Sequence, residues 1–149
     1  MDKPIEEIIY QGDIYCKDSE DIWPIPAVLY WELNRAYFYN SLQVKKVLYS
    51  ILPMNQLACT SDPRNKPPGF FITPTIYLNS KALHGTNIHT LMRVILHEMI
   101  HVYQFNHGLL SQETATLHAH DAVFTKIAKA LSQQTGFPID VTTWQSQCP

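Results

Sequence analysis

Between Leu91 and Tyr103 the chain is apolar on almost every side of a helix. A helix so covered belongs at the centre of a fold, not on its surface. The polar exceptions are ordered. Arg93, His97, His101 and Gln104 recur at intervals of four, four and three, which puts them in one stripe with Glu98 at its flank. A buried helix that keeps a single polar stripe lines a cleft. Thr86 or Asn87 supplies the N-cap, and the helix is expected to run to about Asn106.

That stripe contains His97-Glu98-Met99-Ile100-His101, an H-E-x-x-H pattern. Residues four apart on a helix sit one turn from each other, about 6 Å along the axis and roughly 40° around it. Two imidazoles at that offset can hold one Zn²⁺ from the same side. Glu98 lies about 100° further round than His97, so its carboxylate leans over the metal position without having to ligate it. Water on such a zinc has its pKa lowered towards neutrality, and an adjacent carboxylate can take its proton. Glu98 is therefore the candidate catalytic base, and His97 and His101 are candidate metal ligands.

The rest of the chain reads as one domain over residues 25–136, between an N-terminal arm (1–24) and a C-terminal tail (137–149). A helical turn is expected near Glu6–Tyr10, and an aromatic-rich helix over 27–40 that packs one broad face. Strands are expected over 42–52, 54–60 and 70–78, with Pro74 marking the last as an edge or bulged strand. The loop at 61–69 carries Arg64 and Lys66, which could touch a phosphate backbone but read more simply as a solvated turn. A final amphipathic helix, with Leu117, Val123, Phe124, Ile127, Ala128 and Leu131 on one face, ends at Gly136 as its C′ residue.

Composition narrows the function classes. With 46% hydrophobic and 16% charged residues the chain is globular, and no apolar stretch approaches the roughly 20 residues of a membrane span. Residues 1–10 carry two glutamates and no apolar block, so a signal peptide is not expected. A net charge of −2 gives no overall attraction to nucleic acid. Cys16, Cys59 and Cys148 are odd in number and far apart. Their spacing implies neither a disulfide framework nor a zinc ribbon, and points to a reducing, cytoplasmic setting.

A catalytic zinc takes three protein ligands and keeps one position open. His107 stands six residues after His101, but Gln104 occupies the place where H-E-x-x-H-x-x-G-x-x-H needs a turning glycine, and no methionine follows Met99. Glu113 and Asp121 sit in no supporting pattern. His118 and His120 flank Ala119, so on a helix only one can face the metal. His120 lies one turn before Phe124 and three residues after Leu117, on the core-facing side, and is preferred.

Several pieces together resemble the SprT-like metallopeptidase family. They are Leu33-Asn34-Arg35-Ala36-Tyr37-Phe38, the strand Thr75-Ile76-Tyr77-Leu78-Asn79, the helix motif Leu96 to His101, and His120-Asp121-Ala122-Val123-Phe124. The family usually has H-G-x-x-F at the last of these, so Asp121 replaces a glycine. From these 149 residues neither the zinc ribbon of bacterial members nor the accessory segments of eukaryotic ones is expected.

The resemblance implies a single α+β, zincin-like domain, with a small sheet packed against the central H-E-x-x-H helix and a C-terminal helix beside it. It implies Zn²⁺ held by His97, His101 and His120, hydrolysis of a protein or peptide substrate with Glu98 as base, and an association with DNA-bound proteins as one substrate class. Arg93 and Tyr103 are candidate oxyanion donors, neither of them assigned. The edge of the strand around residues 75–79 is expected to pair with an extended substrate. The alternative is a zincin-fold protein that keeps zinc as a staple and binds a partner.

Overall fold

A computed structural model describes residues 15–18, 21–24, 26–53, 56–61, 69–83, 86–109 and 121–139, the first two segments as backbone only. Strands β1 (Tyr15–Asp18) and β2 (Asp21–Pro24) form an antiparallel hairpin. Helix α1 (Pro26–Phe38) leads into a three-stranded sheet of β3 (Lys46–Ser50), β4 (Ala58–Ser61) and β5 (Thr75–Asn79). A single turn, α2 (Ser80–Leu83), follows, then the long α3 (Ile88–Asn106) and α4 (Ala122–Thr135). The class is α+β, as expected.

The sheet order is β3-β5-β4, with β3 parallel and β4 antiparallel to the central β5. This corrects the expectation that β5 is the edge open to a substrate, because both its edges are taken. Pro74 does not interrupt the ladder. It precedes the strand, and its carbonyl accepts a hydrogen bond from Lys45 N at 2.8 Å. All three strands are shorter than their apolar runs suggested, since Leu42 and Ile72 are buried from irregular backbone outside the strands.

Ile76 and Leu78 put one face of β5 into the main core, against Leu29, Leu33 and Tyr37 of α1 and Met92, Ile95 and Met99 of α3. Burial of this kind contributes about 1.5–3 kcal/mol per large aliphatic side chain. Val47 pairs with Ile76 and Ala58 with Leu78, which brings β3 and β4 onto the same face. Thr60 also pairs with Ile76. The alternation of side chains along a strand therefore turns Thr60 towards the helices.

Three buried asparagines fasten the connections around this core. Asn34 exchanges two hydrogen bonds with the backbone of Leu42, at 3.1 and 3.2 Å. Asn106 holds Gln43 and Ile72, and the Asn79 amide donates to the carbonyls of Leu52, Pro53 and Gln56. Each satisfies backbone groups that would otherwise be buried unpaired. Asn87 caps α3, accepting from Thr90 N at 2.8 Å. Gly136 ends α4 in the left-handed conformation at φ +77°, as its C′ assignment required.

Two expectations change. The N-terminal region contains the β1–β2 hairpin, while the turn expected near Glu6–Tyr10 lies outside the described residues. Cys59, on β4, is disulfide-bonded. Sequence spacing does not decide which cysteines a fold brings together, and the reducing setting drawn from that spacing loses its support. Among the described residues no helix is long and apolar enough to cross a membrane.

Candidate active site

The motif lies in the middle of α3, where every residue from Ile95 to Val102 is buried. His97, Glu98 and His101 are the polar members, at 9%, 6% and 7% exposure. One helical turn brings the His97 and His101 ring centroids to 5.1 Å, with planes 77° apart. Phe124, from the first turn of α4, packs on both. Its centroid is 4.9 Å from His97, edge to face, and 4.8 Å from His101, stacked. The two imidazoles thus share one aromatic support, and their remaining freedom is small.

Glu98 faces the sheet. The Thr60 hydroxyl donates to Oε1 at 2.8 Å and lies 3.3 Å from the Glu98 carbonyl, while Oε2 is 3.9 Å from His97 Nε2. Burial pushes the carboxyl up from 4.5 to about 7, against the smaller lowering effect of the Thr60 hydrogen bond. A carboxyl poised near neutrality can both take and return a proton. Thr60 was not foreseen as a site residue. Its only sequence signal is its alternation with Ala58, and that becomes informative once the register with β5 is known.

Gln104, the last member of the polar stripe, is fully buried, and its Oε1 is 2.8 Å from His101 Nδ1. Its Nε2 donates to Asp121 Oδ1 at 3.3 Å. The same Asp121 oxygen accepts from Phe124 N at 3.0 Å and caps α4, so this carboxylate has a structural role at the helix start.

Other candidates fall away from the site or outside the description. His107 is exposed, stacks on Tyr103 with centroids 3.9 Å apart, and contacts the Tyr103 carbonyl through Nδ1. Neither residue joins the His97–His101 pair. Arg93 Nε donates to the Pro138 carbonyl at 3.1 Å. Glu113, His118 and His120 lie outside the described residues, as do Arg64 and Lys66. Among the described residues no group of three His, Cys, Asp or Glu is placed to hold a metal ion, and His97 and His101 make two donors. The donor chemistry fits zinc as far as it goes: two imidazoles on one helix face, with a carboxylate at their flank.

The SprT-like family matches residues 29–143, most of the chain, and the chain belongs to that family. No curated protein matches the sequence. Family membership supports a metallopeptidase-type role, and themes of metal-dependent hydrolysis with it.

Proposed function

We propose that this chain is a zinc-dependent, zincin-like peptidase in which His97, His101 and His120 hold the metal and Glu98 is the general base. The observation that carries the reading is the placement of Glu98: buried, beside the paired imidazoles, and held from the sheet by Thr60. A purely structural zinc site has no need of such a base. Zinc, when bound, would acidify a water and polarise the peptide carbonyl. Its positive charge would also lower the Glu98 carboxyl from its metal-free position. Glu98 then accepts a proton as the bond to the carbonyl carbon forms, and returns it to the departing amine. His97 and His101, backed by Phe124, keep their ring edges fixed through that cycle.

The substrate is a protein or peptide chain. β4 pairs with β5 along one edge, and no described strand covers its other edge. Thr60 ties this strand to Glu98, so an extended peptide added along β4 would run beside the base. DNA-associated proteins are a substrate class to include in the assay, on the strength of the family resemblance.

The test is Glu98→Gln. The variant is expected to keep its metal and lose all cleavage of a broad protein panel, assayed with and without DNA. A wild type that binds zinc and cleaves nothing would instead favour a partner-binding module.

A further inference from the structure

We infer that Asp121 and Gln104 form a directional hydrogen-bond relay that commits His101 to one tautomer, so that Nε2 is the ring nitrogen with a lone pair before any metal arrives. The inference rests on the metal-site reading for its purpose, but not for its geometry.

The direction follows from what each group can do. A carboxylate only accepts hydrogen bonds. Asp121 Oδ1 already accepts from Phe124 N, and the Gln104 side chain approaches the same oxygen at 3.3 Å. Gln104 must therefore present its NH₂ to Asp121, which leaves its carbonyl oxygen facing His101. An amide oxygen cannot donate, so the proton between Gln104 Oε1 and His101 Nδ1, 2.8 Å apart, belongs to Nδ1. A neutral imidazole with hydrogen on Nδ1 carries its lone pair on Nε2.

Burial makes the arrangement effective. Gln104 has no exposed surface, so its amide cannot turn over without breaking its bonds to His101 and Asp121 in a site where replacements are costly. The stack of Phe124 on His101 fixes the ring plane, and Phe124 is itself placed by the Asp121 cap. One carboxylate thus sets the start of α4, the position of the aromatic support and the polarity of the relay. Asp121 stands where the related pattern has glycine, which offers no side chain to set such a direction. Gln104 and Asp121 are positioning residues. Neither touches the reacting atoms.

Long-range ¹H–¹⁵N spectra of the histidine rings in metal-free protein, paired with zinc affinity from chelator competition, test the relay. Wild type should show His101 protonated on Nδ1. In Asp121→Asn the helix cap survives, because asparagine caps as well as aspartate. Its capping oxygen stays on Phe124 N and is the same atom that Gln104 approaches, so the Gln104 direction and the His101 tautomer should persist. Gln104→Met should lose the Nδ1–H preference and weaken zinc binding by about tenfold or more.

His101 protonated on Nε2 in the wild type would overturn the relay. So would tautomer and zinc affinity unchanged in Gln104→Met. If the wild type bound no zinc, the metal reading would fail while the metal-free spectra still decided the relay.

Discussion

The Thr60 hydroxyl meets the Glu98 carboxylate at 2.8 Å, joining the outer strand of the sheet to the centre of the helix that carries both histidines. This bond lowers the Glu98 pKa against a larger upward push from burial. Removing it in Thr60→Val should raise that pKa further. The base must be deprotonated to act, so the acid limb of the pH–rate profile should move to higher pH, with activity recovering in alkali. Loss of the hydrogen bond should cost the fold about 1 kcal/mol. A profile that stays in place would show that Thr60 does not act on the base.

Metal-free protein should lose stability as the pH rises. The folded Glu98 carboxyl sits at about 7 against 4.5. A raised pKa contributes stability that is complete below 4.5 and lost as the pH climbs through 7. The full effect is on the order of 3 kcal/mol. Urea unfolding of metal-free protein on either side of this window measures it, and Glu98→Gln should flatten the dependence.

Phe124 supports both imidazoles, and its substitutions should separate packing from metal binding. Phe124→Ala should cost about 3–5 kcal/mol in unfolding free energy. Phe124→Leu keeps most of the apolar volume but loses the flat support. It should weaken zinc binding, measured by chelator competition, more than it lowers the melting temperature.

The turn after α3 depends on a close backbone crossing. Gly108 has φ +69°, and a Cβ there would lie 2.8 Å from the carbonyl carbon of Gly69, whose N–H donates to the Gly108 carbonyl. Gly108→Ala adds a backbone collision to an unfavourable dihedral, and should destabilise by more than about 1 kcal/mol in thermal unfolding. Gly69→Ala carries only the dihedral strain, because nothing lies within 4 Å of its Cβ position. It should cost less.

The parts of this fold that were readable in the sequence are those whose signals are local. The apolar circumference of α3, its cap at Asn87 and the Gly136 terminus of α4 all depend on residues within a turn or two of each other. So does the His97–Glu98–His101 grouping, which is helical geometry alone. What sequence could not supply depends on pairing between distant segments. β5 became central because β4 and β3 flank it, which moved the open edge away from residues 75–79. Thr60 and Gln104 acquired their roles from partners 38 and 17 residues away, and no periodicity reports such contacts. The disulfide at Cys59 was invisible for the same reason.

Metal content of the purified protein tests the central claim most directly. The account predicts about one zinc per chain in the wild type and in Glu98→Gln, with sharp loss in His97→Ala, His101→Ala and His120→Ala. Wild-type protein without zinc affinity, or a His101→Ala variant that retains its metal, would contradict it.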